Sequence, residues 1–385
     1  MVRQNGQPSL FTIFASFLRL GSTAFGGAAM VAYIRRMAVQ QKGWLDDASF
    51  RDGVAFCQTV PGATAMQVAA YSGLRARGVA GAAAAYVGFA LPAFLMMMLL
   101  SALYMQSRQL PAVVSAFAGL HAVVVAIIAN AAVSFGRDYL RQKRDLILVT
   151  AAALLFLQGF SPIIVISMAS LAGLVLYADQ DRQRSRSAAD TPSNARPLSI
   201  ILAAVSTGFG LLYLFSRDLF WLAALMFRID LFAFGGGFAS LPLMLHEFVD
   251  LRGMDSRTFL DGIALGQATP GPIVITATFV GYMQYGLAGG LVATLGIFLP
   301  SFLLVVALVP YYDRLSASPR FNRAVNGIFC SFIGLLASTA IHFASNIPWE
   351  PIRAALAVSA FAALLFKMDI LWVVLVGAII SIILI

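Results

Sequence analysis

The chain is 385 residues long, 60% hydrophobic and only 11% charged, with a mean hydropathy of +0.85. Soluble domains carry about 25% charge, so a water-soluble enzyme or regulator is excluded. The formal net charge of +9 does not point to nucleic acid, because the Lys and Arg residues sit mostly in short connections between apolar stretches, as in cytoplasmic loops of membrane proteins.

The N-terminal run MVRQNGQPSLFTIF offers no small-x-small cleavage site before Arg19, so no removable signal peptide is expected. Six apolar segments follow, at about 10–34, 50–73, 78–106, 110–136, 144–159 and 161–178. The polar, Arg/Ser-rich stretch 179–197 then reads as a solvated linker, and one apolar segment, 198–215, stands alone. Six more run at about 218–246, 256–281, 284–311, 321–346, 350–366 and 368–385. Cys57 and Cys330 lie in apolar surroundings without CxxC spacing, which indicates neither a disulfide framework nor a zinc site.

The second set repeats the first. Arg19 recurs as Arg228, an offset of 209, and in that register Phe25-Gly26-Gly27 falls on Phe234-Gly235-Gly236, Gln58 on Gln267, and Pro61-Gly62 on Pro270-Gly271. After a one-residue deletion the offset is 208, matching Gly78 with Gly286 and Leu91-Pro92 with Leu299-Pro300. Basic residues then orient the loops. The LRARG loop and the loop with Arg137, Arg141, Lys143 and Arg144 read as cytoplasmic, whereas YMQYG, the mate of LRARG, is uncharged and the next loop of the second half carries Arg314, Arg320 and Arg323. The expected fold is an all-α polytopic membrane protein, an inverted-topology repeat of two homologous halves. Its parts are an N-terminal transporter half 1–178, a cytoplasmic linker 179–197, a single linking helix 198–216 and an inverted C-terminal half 217–385. This places the N-terminus in the cytoplasm and the C-terminus outside.

Gly26-Gly27 and Pro61-Gly62 interrupt apolar segments, and breaks at membrane depth are tolerated only where protein or a water-filled cavity surrounds them. Full crossing by 10–34 would put Arg35, Arg36, Lys42 and Arg51 outside, so half-helices or re-entrant hairpins are expected there. The stretch 35–53 reads as an amphipathic surface helix and turn anchored by Trp44.

FGG followed by WLDDASFRDGVAFCQTVPG, and in the second half FAFGGGFASLPL, FLDGIALGQATPGPIVITATFVGY and GLVATLGIFLPSFLL, resemble the chromate ion transporter family in its two-domain form. The first half departs from the family pattern, with Ala28 where Pro usually follows the paired Gly, and Met30 and Val31 further along where the family usually has a His. The resemblance implies export of chromate across the cell (inner) membrane, with sulfate as the look-alike oxyanion.

Such dianions suit Arg, amide and hydroxyl donors, and helix N-termini, with no metal or cofactor required. The candidate substrate-binding residues are Arg19, Gly26, Gly27, Gln58, Pro61, Gly62 and Thr64, and in the second half Arg228, Gly235, Gly236, Gln267, Thr269, Pro270, Gly271 and Pro272. Arg19 and Arg228 lie about ten residues into their segments, near half depth, where Arg is a functional candidate; the alternative is an Arg that snorkels. The Gln and Thr residues equally suit interhelical hydrogen bonding. Asp52 and Asp261 are matched carboxylates whose plainer role is capping an interfacial helix. His121, His246 and His342 are dispersed in sequence and form no catalytic spacing, though proton coupling by His121 or His246 stays open. Sulfate uptake or exchange, and an integral-membrane transferase, are the alternative functions. The partners expected are a small oxyanion and the lipid bilayer, with no nucleic acid and homodimerisation left open.

Overall fold

A computed structural model describes residues 7–25, 27–178 and 196–385. Gly26 and positions 179–195 of the linker lie outside the described residues. Those residues are helical wherever they are regular, with no strand among them. The helices are α1 (Leu10–Gly21), α2 (Gly27–Arg35), α3 (Asp47–Thr59), α4 (Thr64–Ser107), α5 (Pro111–Tyr139), α6 (Lys143–Leu157), α7 (Pro162–Leu176) and α8 (Arg196–Phe215). The second half contributes α9 (Arg217–Phe232), α10 (Ser240–Met244), α11 (Ser256–Ala268), α12 (Thr276–Leu308), α13 (Tyr312–Ala317), α14 (Pro319–Asn346), α15 (Pro351–Leu365) and α16 (Ile370–Leu384).

Five helical stretches among the described residues are long and apolar enough to cross a membrane, in α4, α5, α8, α12 with its flanking turns, and α14. Two of them are hairpins. In α4 the backbone leaves helical geometry at Arg77 and at Gly78, which takes φ 63°, and in α12 at Tyr285 and Gly286, which takes φ 59°. Only Gly adopts such a turn without strain. Beyond each turn the chain doubles back so closely that a Cβ on Gly73 or Gly81 would strike the other's carbonyl, and likewise for Gly281 and Gly289. The apolar helices α6, α7, α15 and α16 have 15 residues each, about 22 Å at 1.5 Å per residue.

The repeat persists in three dimensions. A π-helical turn at Arg36–Gln41 recurs at Leu245–Asp250, again at offset 209. Gly88 packs against the Phe14 carbonyl as its mate Gly296 packs against that of Ala223, the mate of Phe14. With α8 as the odd element between the halves, the chain is an all-α polytopic membrane protein of the inverted-repeat kind.

Two compact units result, and each takes pieces of both sequence halves. Among the described residues, the first comprises 7–25, 27–101, 196–237 and 269–313; the second comprises 102–178, 238–268 and 314–385. In the first, α9 packs along α12. In the second, helices pair across the repeat: α14 packs on α6 and α7, and its mate α5 packs on α15 and α16. Small residues allow these close approaches. The Gly327 backbone lies against Ala169 and Gly173, Gly334 against Val149 and Ala153, and the Ser381 hydroxyl accepts from the Gly119 N–H at 2.9 Å.

Candidate functional site

The first unit holds both pairs of helix breaks. Break one begins where α3 ends. Asp46 caps α3, accepting from the Ser49 N–H at 2.9 Å and from its hydroxyl at 2.7 Å. That backbone bond and then the hydroxyl hold the Asp46 carboxyl below its ordinary value. After Thr59 the chain turns at Pro61-Gly62 and re-enters helix at Thr64. Tyr71 then lies back against Gly53 and donates to the Ser49 carbonyl at 3.1 Å. α3 and the first part of α4 are therefore antiparallel arms with Pro61-Gly62 at the tip. Each arm of about 13 residues is roughly 20 Å long, shorter than a ~30 Å hydrocarbon core.

The helices on either side of the Gly26-Gly27 position, α1 and α2, are arranged alike. α1, opened by the Ser9 cap, and α2 with its π-helical turn form the two walls of one open groove of about 720 Å³. Trp44, beyond that turn, comes back to Phe17 of α1, ring centroids 6.4 Å apart. The stretch 35–53, expected as one surface helix and turn, is instead the end of this hairpin followed by the start of α3. Arg19 is exposed in the groove, opposite Arg36 and Lys42, with Thr12, Ser16 and Tyr33 among its polar walls. No carboxylate belongs to the described lining. Arg228, its mate, is also exposed.

The breaks meet in reciprocal fashion. The Gly62 N–H donates to the Ala233 carbonyl at 2.9 Å, and the Gly271 N–H to the Ala24 carbonyl at 3.0 Å. Gly271 is the mate of Gly62 and Ala233 the mate of Ala24, so each Pro-Gly tip grips the approach to the other half's Gly-Gly tip. Gly62 takes φ 115°, Gly271 106°, Gly235 96° and Gly236 91°, conformations that require Gly. Thr64 lies against Gly236. The N-termini of α2, α4 and, after a short 3-10 turn at Ile273–Ile275, α12 all begin at these tips. Their first N–H groups have no intrahelical acceptor, and their dipoles are positive there.

Of the sequence candidates, Gly27, Pro61, Gly62, Thr64, Gly235, Gly236, Thr269, Pro270, Gly271 and Pro272 fall in the unit that holds these tips. Gln58 is in the same unit but exposed on α3. Gln267 belongs to the second unit, and its Nε2 is buried without an acceptor.

One residue that sequence reasoning did not select lies at the centre. Asp230, on α9, is fully buried. Its Oδ2 accepts from the Ser301 N–H at 2.9 Å and the Ser301 hydroxyl at 2.7 Å, and that hydroxyl accepts from the Ala63 N–H at 3.0 Å. Its Oδ1 has no partner. A carboxylate deep inside a membrane-length apolar segment was the available signal.

The capping role expected for Asp52 and Asp261 does not hold. α3 is capped by Asp46, and Asp255 accepts the Thr258 N–H at 3.0 Å at the start of α11. Asp52 is exposed, and Asp261 lies in the second turn of α11, buried against α5. There Tyr104 donates to its Oδ2 at 2.7 Å and His121 Nε2 lies 2.6 Å from its Oδ1. The three histidines, expected as dispersed, thus include one in a side-chain cluster.

A repeat of helix bundles with paired breaks is the architecture of polytopic inverted-repeat transporters. The chain belongs to the chromate transporter family, which it matches over residues 11–174 and 220–382. It is 42% identical over 385 aligned residues to an uncharacterised transporter of Methanocaldococcus jannaschii, covering 99% of this chain and 96% of the relative. It is 30% identical to the chromate transport protein of Cupriavidus metallidurans over 370 residues, covering 91% and 86%. Identity to the chromate transport protein of Pseudomonas aeruginosa is also 30%, over 364 residues, covering 91% and 85%. No solved structure matches the chain.

Proposed function

We propose that the chain carries chromate, a tetrahedral dianion, out of the cytoplasm through a site formed where the helix tips of the first unit meet. The observation that carries this reading is the reciprocal pair of bonds, Gly62 to Ala233 and Gly271 to Ala24. It gathers helix N-termini from both repeats in one place, where oriented N–H groups and dipoles favour an oxyanion. The Gly62, Gly271 and Ala63 N–H groups are already engaged and Pro272 has none, so the donors to the anion are the backbone N–H groups of Thr64 and Ile273 and the Thr64 hydroxyl. Arg19, Arg36 and Lys42 collect the anion in the groove that leads along the first hairpin, and Arg19 is the bidentate ligand of the three.

Export follows from charge. With the cell interior negative, a dianion leaving gains about 4.6 kcal/mol per 100 mV, so outward movement proceeds without a driving ion. The test is uptake of labelled chromate into inverted vesicles, with sulfate, molybdate and phosphate as competitors. Vectorial, saturable uptake that chromate analogues suppress supports the reading. Binding or turnover without flux refutes it.

A further inference from the structure

The buried polar network around Asp230 is present once, not twice, although the fold around it repeats. The mates of Asp230 and Ser301 are Gly21 and Ala93. Where a Cβ on Gly62 would run into the Ser301 hydroxyl, one on Gly271 would meet only the Ala93 methyl. A carboxylate has thus been set on one side of a near-symmetric pair of anion-attracting tips. Among the described residues, Ser301 supplies both donors to Oδ2, and Oδ1 is buried without a hydrogen-bond partner. Tyr86 on α4 is, among the described residues, an ionisable side chain near it, its hydroxyl donating to the Phe298 carbonyl at 2.6 Å and neighbouring Ser301. Ser301 is the contact from α12, and the break itself contributes only the Ala63 N–H. On the same helix Arg228 is exposed, and Tyr213 of α8 sits against Phe220 at the opposite end of α9.

We propose that Asp230 is a proton-binding site coupled to the transported anion, so that one proton is taken up by this carboxylate when the oxyanion occupies the tips. The inference rests on the transport reading above. Asp230 touches the Ser301 hydroxyl that holds the Ala63 N–H, one residue past the tip of break one. A bare carboxylate there repels an arriving dianion through a water-poor region, whereas a neutral one does not. Proton and anion therefore raise each other's affinity, reciprocally. The proton goes onto Oδ1, the oxygen without a donor, and both Ser301 bonds to Oδ2 persist, so the network accepts either state without rearranging. Because Gly21 and Ala93 replace the pair in the other half, this network takes at most one proton per chain. A dianion that moves with its proton carries one net negative charge.

The experiment is chromate titration of the purified full-length chain in weakly buffered detergent solution, on the alkaline side of chromate's own protonation, with proton uptake recorded directly. The wild type is expected to take up close to one proton per chromate bound, with its affinity falling by up to tenfold per pH unit over the same pH window. Asp230→Asn keeps a group that accepts from Ser301; it should bind chromate without proton uptake and with a pH-independent affinity. Ser301→Ala, which removes one donor to Oδ2, should retain uptake but move its pH midpoint. Chromate binding by the wild type without proton uptake overturns the inference, and so does undiminished uptake in Asp230→Asn or, should that variant not fold, an unmoved midpoint in Ser301→Ala. Absence of chromate binding by the wild type overturns the transport reading and this inference with it.

Discussion

Replacing Gly62 by Ala should cost far more than the same change at its mate, Gly271, although the repeat treats the two as equivalent. At φ 115° and 106° respectively, both positions oppose an L side chain, at about 1–3 kcal/mol each. The surroundings then separate them. A Cβ on Gly62 overlaps the Ser301 hydroxyl oxygen and falls 2.8 Å from Gln67 Nε2. Ser301 must swing away, abandoning the Ala63 N–H or Asp230, and a buried polar group left without its partner costs about 1–3 kcal/mol more. A Cβ on Gly271 meets only the Ala93 methyl, at 2.8 Å, and no hydrogen bond is at stake. The expected difference is about 2 kcal/mol, close to thirtyfold in an equilibrium constant. Reversible unfolding in mixed micelles measures it, with chromate flux in proteoliposomes as the functional readout. In a Ser301→Ala background, Gly62→Ala should lose most of its excess, a coupling that a double-mutant cycle isolates. Equal costs at the two glycines, or additivity with Ser301→Ala, would refute the reasoning.

Three further outcomes are expected. Arg19→Lys should transport poorly and Arg19→Gln worse, because a point charge lacks the guanidinium fork; vesicle flux over a range of chromate concentrations reads this, and unchanged apparent affinity in both removes Arg19 from the anion's path. Cysteines introduced at Arg77 and Gln284, in mated hairpin turns of opposite charge character, should react with impermeant reagents from opposite sides of the membrane; labelling from one side contradicts the inferred orientation. The Asp46 cap, whose folded value is depressed, contributes above the unfolded carboxylate pKa and is lost as pH falls through the lower folded one. Amide exchange at Ser49, corrected for intrinsic rate, should therefore accelerate only in acid, and constant protection would show that the cap does not hold this turn.

Repetition made the architecture legible, because the matched Gly and Pro residues answer backbone demands that no other residue meets. Gly78 and Gly286 both turn a helix back on itself, and Pro61-Gly62 and Pro270-Gly271 both end one arm and start another. The same search hid Asp230. Matching rewards identity, and the mates of Asp230 and Ser301 are Gly21 and Ala93, so a departure from symmetry reads as noise until the fold shows both sites in the same surroundings. The His121–Asp261 contact was hidden for another reason: 140 positions separate its partners, and nothing in spacing along a chain reports which faces of α5 and α11 will touch. Arg19 was found by its depth along a segment, but its neighbours Arg36 and Lys42 became part of one groove only when α2 folded back beside α1.

The exchange of helices in the second unit sets a timetable for biosynthesis. α6 and α7 are complete by residue 176, yet the helix they pack on, α14, begins at residue 319, 143 positions later. At about 5–20 residues per second, the ribosome needs roughly 10–30 s to deliver it. Until then the small-residue faces around Ala169 and Gly173 rest against lipid or against the insertion machinery, and the nascent first half waits in the membrane without its permanent neighbour. Its integrity over that interval depends on the apolar length of its own segments, and a pause in synthesis between α8 and α14 would lengthen the exposure of surfaces that the finished protein never shows.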